Sequence, residues 1–484
     1  MTKQDPYRPL FHFTPAFGWM NDPNGLVYHR GEFHLCYQYY PMDTVWGPMH
    51  WGHAVSRDLL SWEHLPIALA PDAAGMCFSG TAIADAANST GLVGPEGGLL
   101  AYYTIAAEKS EGDRDFPQSQ GLAYSTDGGR RWQRYAGNPV LPNPGLQDFR
   151  DPKVFWHAPS QHWIMVVTLG QKVGIYRSAD GLDWRFCSEF GEGEGAHDHL
   201  AWECPDLFEI PVEGSDESRW ILIVGIQRQA YAPGSGTQYF VGRFDGERFV
   251  NDNTADTVLW LDHGRDYYAS QTWADVPAED GRRLVLGWMS CWPYANQTPT
   301  GHWRSAMSLP QTLTLKATDQ GLRLHRAFVA ELEAFERPER VLACGEHGAG
   351  ELLAADWPEA ARLQLAFELA EGSELRISPT EEADFILFRR DGRLGLRSRR
   401  RGRIGVAEFD EHYPHDYDLD LGAPRPLSLD LLLDRCSAEL LLDDGHYGMT
   451  QLLFGDSPRR CRLEVERGSL VLEQGHWLGL SRGA

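Results

Sequence analysis

The 484-residue sequence is short of positive charge: 44 Lys and Arg stand against 68 Asp and Glu, a formal net charge of −24. A chain this acidic is poorly suited to displacing counterions from a phosphate backbone, which argues against nucleic acid as a partner. Anionic membrane surfaces are disfavoured for the same reason. Long hydrophobic runs are also lacking. The longest apolar stretches, such as Trp220 to Ile226, fall far short of the roughly 20 residues of a spanning helix, so no membrane partner is expected. The eight cysteines are scattered and none forms a CxxC pair, which argues against a structural zinc site. The glycines at 191–195 lack the strand-to-helix context of a phosphate loop, and no dinucleotide fingerprint occurs. No cofactor and no metal are therefore expected. The stretch MTKQDPYRPLFHF has no apolar core and no small-residue cleavage site, so the expected location is cytoplasmic, with reduced thiols.

What the chain does have is turns and aromatics. Gly and Pro together number 79, and 12% of residues are aromatic, a balance that favours short strands over helices. From residue 1 to about 315, apolar runs of five to eight residues alternate with turn clusters, as in GEFHLCYQYY, GLLAYYTI, HWIMVVTL and RWILIVGI. A larger unit recurs. Ser56-Arg57-Asp58 leads to Trp62, Ser125-Thr126-Asp127-Gly128-Gly129 to Trp132, and Ser178-Ala179-Asp180-Gly181 to Trp184; Phe244-Asp245-Gly246 leading to Phe249 is a weaker copy. The serines are 69 and 53 residues apart. That spacing fits four-stranded propeller blades, about five over this length. Residues 316–340 carry charges at helix-like spacing and few turn signals, which predicts a helical or irregular linker. Residues 341–484 return to alternation, which predicts a second all-β domain, a sandwich. Eight arginines lie between Arg389 and Arg403. They are read as a solvated hairpin, with an anion or subunit contact as the alternative.

Three segments place a carboxylate beside bulky apolar residues with proline close behind: Trp19-Met20-Asn21-Asp22-Pro23-Asn24-Gly25, Phe149-Arg150-Asp151-Pro152-Lys153, and Trp202-Glu203-Cys204-Pro205-Asp206-Leu207-Phe208. Proline fixes φ and removes a donor, which suits the end of an inner strand or a tight bend. Each segment can belong to a different blade, and inner strands converge on one channel. Glycoside hydrolysis needs a carboxylic acid for the leaving oxygen and a carboxylate on the opposite face. Burial with like charges nearby should let one carboxyl keep its proton to higher pH. Arg150 is expected to hold its neighbour Asp151 ionised. Two His pairs, His50/His53 and His197/His199, have ligand-like spacing, but no standard motif completes either.

The segments WMNDPNG, FRDPKVF and WECPDLF closely resemble the three signatures of the invertase-like β-fructofuranosidases, glycoside hydrolase family 32. Tyr37-Gln38-Tyr39, Trp46-Gly47, Phe78-Ser79-Gly80, Asp266-Tyr267-Tyr268-Ala269 and Leu433-Asp434-Arg435-Cys436-Ser437 match as well. The resemblance runs from about residue 8 to 445. It implies a five-bladed β-propeller followed by a C-terminal β-sandwich, and a retaining two-step mechanism. It also implies Asp22 as nucleophile, Glu203 as acid and then base, and Asp151 as transition-state stabiliser. Asn21, Gln38, Trp46, Phe78, Ser79 and Arg150 correspond to fructosyl-pocket residues, with Tyr268 and Trp288 as weaker correspondences. Retention would set the Asp22 and Glu203 carboxyls about 5–5.5 Å apart. Departures from the pattern include Cys36, Tyr40 and Cys436. Tyr40, near the pocket strand, puts substrate preference in doubt.

The expected partner is a small sugar. Sucrose leads, followed by sucrose 6-phosphate and short fructo-oligosaccharides. An inverting arabinan-type hydrolase, with carboxyls about 6.5–9.5 Å apart, and a non-catalytic sugar-binding propeller are the competing classes. A homodimer through the sandwich faces is left open.

Overall fold

The computed structural model describes residues 5–107, 116–357 and 359–482. Its first two thirds form five separate antiparallel sheets of four or five strands. The innermost strands are Gly18–His29, Met76–Asp85, Arg150–His157, Glu203–Pro211 and Tyr268–Thr272. Each sheet then steps outward through consecutive hairpins, which is the arrangement of a propeller. The repeated turn seen in the sequence is the hairpin between the third and fourth strands. In the first three blades the serine hydroxyl bonds the aspartate two residues on: Ser56 to Asp58 at 3.0 Å, Ser125 to Asp127 at 3.0 Å and Ser178 to Asp180 at 2.9 Å. Such Asx and Ser turns satisfy the backbone locally, so each copy can fold without help from the next.

The ring is closed by contacts between first and last blades. Gly18 and Trp19 pair in parallel with Trp303 and Arg304, while Tyr28 N–H donates to the Ala274 carbonyl at 2.9 Å.

Residues 316–340 are not the helical or irregular linker expected. Gln311–Thr318 and Gly321–Phe328 are adjacent strands of the fifth blade. A 3-10 turn at Ala330–Phe335 follows, and Glu336–Val341 already pairs with the sandwich. The charges that looked helical are divided among three elements: Arg323 and Arg326 lie in the outer blade strand, Glu331 and Glu333 in the 3-10 turn, and Glu336, Arg337, Glu339 and Arg340 in the strand that joins the sandwich. A period of two was masked by arginines that pack their stems inward, as Arg323 and Arg326 do.

The C-terminal part is all strand apart from one short helix, Ala407–His412. Its sheet folds around the 21-residue strand Arg460–Leu480, which pairs along its length with four different strands. The layers enclose one apolar core that includes Leu363, Phe367, Ile377, Phe385, Leu431, Leu463 and Trp477. Seven of the eight clustered arginines have acidic partners: Arg389 with Glu371, Arg390 with Glu374, Arg393 with Asp420, Arg397 with Asp418, Arg399 with Asp416, Arg400 with Asp266 and Arg401 with Asp384. The basic run is largely a cross-strand ion ladder.

Two buried ionic links and one hydrogen bond to a buried carboxylate weld the two domains. His12 bridges Asp434 at 2.8 Å and Glu439 at 2.6 Å. Arg400 meets Asp266 at 2.6 Å. Asp262, paired with Arg326, also accepts from Thr450 of the sandwich.

Candidate active site

Every inner strand is interrupted by a β-bulge close to its start. The register shifts fall between Met20 and Pro23, Phe78 and Gly80, Glu203 and Asp206, and Tyr268 and Gln271. In the third blade the shift lies opposite Asp151 and Pro152. A bulge re-aims side chains that strict alternation would turn into the sheet. Asp151 (φ 63°), Cys204 (φ 48°) and Ala269 (φ 50°) occupy the left-handed region there, a cost of order 1–3 kcal/mol each that the surrounding fold must hold. Because the five strands run the same way, all five bulges face one end of the channel. They surround a cavity of about 230 Å³ lined by Asn21, Asp22, Gln38, Trp46, Phe78, Ser79, Phe116, Arg150, Asp151, Glu203 and Trp292.

Asp22 is oriented on both oxygens. Asn21 Nδ2 donates to Oδ1 at 3.0 Å and Ser79 Oγ to Oδ2 at 2.6 Å. Asn21 is itself fixed by the Trp19 indole at 2.8 Å. Glu203 is held from the other side: Arg150 Nη2 reaches Oε1 at 3.0 Å, and Tyr268 Oη donates to Oε2 at 2.7 Å. Asp151 receives the Cys204 backbone N–H on Oδ2 at 3.0 Å. The Cys204 thiol lies 3.5 Å from Asp22 Oδ2 and 3.8 Å from Asp151 Oδ2, so carboxylates from two other blades meet at the sulfur of the residue next to Glu203. Burial pushes that thiol well above its ordinary value, with the nearby carboxylates adding to the effect, which makes it an inert neighbour and not a nucleophile.

Arg150 does not serve Asp151 as expected. Its Nε is 3.9 Å from Asp151 but it makes two hydrogen bonds to Glu203. Burial raises the Asp151 carboxyl to about 7; Arg150 opposes this, and the charges of Glu203 and Asp22 add to it. Burial also raises Glu203, against the pull of Arg150, with Asp22 pushing further and the Tyr268 hydrogen bond opposing. One cation faces three carboxylates, so the cluster retains a proton near neutral pH.

Beneath the carboxylates lies a belt. Lys153 Nζ reaches Asp206 at 3.1 Å and the Thr272 carbonyl at 3.1 Å. Asp206 also accepts from Thr272 N–H and Oγ1. Lys153 is two residues past Asp151, Asp206 three past Glu203 and Thr272 four past Tyr268. One buried cluster thus ties the inner strands of three blades directly below the groups they carry.

Of the residues singled out in the sequence, nine line the cavity and Tyr268 acts through Glu203. Trp288 does not reach it. That ring is fully buried and packs 4.9 Å from Trp292, which takes the place at the wall. Phe116 and Trp292 were missed. Neither belongs to a signature segment; Trp292 follows a strand end, and Phe116 precedes Gln118–Ser125, so only the ring of blades brings them to the mouth. His53 is bonded to His34 and His197 to Gln171.

A sequence profile of the Glycosyl hydrolases family 32 N-terminal domain matches residues 12–325. A levanase of Bacillus subtilis is 43% identical over 482 residues, covering 96% of this chain and 69% of that protein. An extracellular exo-inulinase of Aspergillus niger is 42% identical over 344 residues, 64% of this chain and 62% of the relative. Among solved structures, an exo-inulinase from Aspergillus awamori superposes with TM-score 0.88 at 31% identity, covering 99% of both chains. A β-fructofuranosidase from Schwanniomyces occidentalis complexed with fructosyl-erythritol gives 0.85 at 29% identity, covering all of both.

Proposed function

The chain belongs to glycosyl hydrolase family 32 and is a glycoside hydrolase, and from that premise we propose that it removes terminal β-D-fructofuranosyl units from fructans with retention of configuration. The observation that carries this reading is the split support of the carboxylates. Asp22 is fixed by neutral donors, as a nucleophile requires, while Glu203 is paired with Arg150 and Tyr268 and still raised by burial, as a proton donor requires. In the first step the Glu203 carboxyl protonates the glycosidic oxygen as an Asp22 oxygen attacks the anomeric C2, and the shortened sugar leaves. In the second, the Glu203 carboxylate takes a proton from water, water attacks C2, and Asp22 departs. Asp151, anchored by Cys204 N–H, would hold fructosyl hydroxyls and stabilise the cationic transition state.

The cavity, about 230 Å³, is smaller than the roughly 300–1,000 Å³ of typical ligand sites, and accommodates an end unit in preference to a threaded chain. Fructans are placed ahead of sucrose, which the sequence alone put first; the names levanase and exo-inulinase carried by relatives support that order.

The test offers levan, inulin, sucrose and sucrose 6-phosphate at equal concentrations of terminal fructosyl groups and follows products by chromatography and NMR. Fructose should be the first product from both polymers, released as the β anomer, with kcat/KM higher for a fructan than for sucrose. Preference for either sucrose would overturn the substrate, early oligosaccharides the exo mode, and the α anomer the mechanism.

A further inference from the structure

The channel has a second opening. The C-terminal halves of the inner strands line a cavity of about 400 Å³, larger than the catalytic one, formed by Lys153–Trp156, Leu207–Glu209 and Thr272–Asp275 together with Ile83, Trp220 and Arg283. The inner strands are parallel around the ring, and Trp156 lies five residues beyond Asp151, so this mouth is about 17 Å from the carboxylates along the strand. The Lys153–Asp206–Thr272 belt lies between the two.

Its composition points to a ligand of a particular chemistry. Trp156 is 40% exposed and braced by Trp163, ring centroids 5.4 Å apart. Trp220 is half-buried and braced by Phe155 at 5.4 Å and Phe244 at 5.0 Å. Neither indole N–H has a hydrogen-bond partner among the described residues, and neither is sealed from solvent. Arg283 stacks over Phe208 at 5.0 Å and spends one donor on the Glu209 carbonyl. Asp275, open to solvent and held at φ 56°, uses only one oxygen, for Ala84 N–H. Rigid flat apolar faces with free donors and acceptors at their edges are what a sugar ring, with its C–H faces and the hydroxyls around its rim, requires. One guanidinium beside Lys153, Glu209 and Asp275 gives no excess of positive charge for a polyanion.

We propose that this mouth is a non-catalytic binding site for a neutral fructan segment, which holds the polymer on the enzyme while chain ends are cleaved on the opposite face. The inference rests on the fructan reading above.

The test measures kcat and KM of the full chain and of Trp156→Ala, Arg283→Gln and their double variant, on polymeric levan and inulin and on a short terminal β-fructoside. Losing one stacking aromatic should raise KM for a polymer about three- to tenfold, and weaken retention on a gel of immobilised fructan in the same order. Turnover of the short substrate should stay unchanged. Polymer KM and gel retention unchanged in Trp156→Ala and in Arg283→Gln, with wild-type melting temperatures, would overturn the proposal. Equal losses on short and long substrates would do so too, because the effect would then be on the fold. Retention by a glucan gel and not by fructan would overturn the ligand. A wild-type enzyme inactive on every β-fructoside would instead sink the functional reading, a result separable from these.

Discussion

Replacing Asp151 by Asn should make the protein more stable while destroying its activity. The carboxyl is 6% exposed and its pKa rises from 3.8 to about 7, through burial first and through Glu203 and Asp22 next, against Arg150. Between those values the folded protein holds a proton that the unfolded chain has released, so stability falls as pH rises across the window. Three units at 1.36 kcal/mol each give a cost of about 4 kcal/mol above pH 7, shrinking to about 2 kcal/mol at pH 5 and vanishing below about pH 3.5. Asn is nearly isosteric, keeps an acceptor for Cys204 N–H and carries no charge. In a cooperative unit the size of the propeller, roughly 2.1 cal/mol/K per residue converts 4 kcal/mol to about 6 °C. Thermal melts of wild type and Asp151→Asn, followed by circular dichroism from pH 4 to pH 8.5, should show a gap that opens with pH to about that size. A variant melting at or below the wild type at pH 8, or a gap independent of pH, would refute the claim that this site stores electrostatic strain. The strain has a purpose in the proposed chemistry: the charge that destabilises the empty funnel becomes favourable when positive charge develops at C2.

Tyr268→Phe removes a donor that favours ionised Glu203. A hydrogen bond to a charged group is worth about 1.5–3 kcal/mol, so the alkaline limb of kcat/KM should move up by about one to two pH units; an unmoved limb would separate Tyr268 from the acid. Lys153→Met leaves Asp206 buried without its cation and should cost about 3–5 kcal/mol, much of it recovered in Lys153→Met/Asp206→Asn, as read by denaturant unfolding. For His12, burial pulls the pKa down but hydrogen bonds to Asp434 and Glu439 carry it up to about 9. That stability is complete below pH 6.5 and is lost as pH rises through 9, about 3 kcal/mol in all. His12→Gln should therefore flatten the alkaline decline in melting temperature.

The sequence by itself determined the local units. Ser-x-Asp-Gly turns, alternating strands and Asp-Pro or Glu-Cys-Pro segments are contacts among near neighbours, and each is readable where it stands. That is why the five-bladed ring, the sandwich and the carboxylates at Asp22, Asp151 and Glu203 could be named from residues alone. Where an outer blade strand carried inward-packing arginines, at 321–328, the two-residue period was hidden and a linker was read in its place.

Tertiary structure alone decided everything that depends on which blades adjoin. Arg150 is next to Asp151 in sequence yet its guanidinium belongs to Glu203, 53 residues away, because a bulge with Asp151 in the left-handed region separates the two side chains. Trp292 holds the wall in place of Trp288 because Trp288 lies in the strand Arg283–Met289 with its ring buried in the core, whereas Trp292 lies beyond the strand's end, where the chain turns over the mouth. The retained proton has no local signature either. It arises when three strands, each carrying one acceptable carboxylate, are closed by ring geometry around a single cation in a space too dry to keep them all charged.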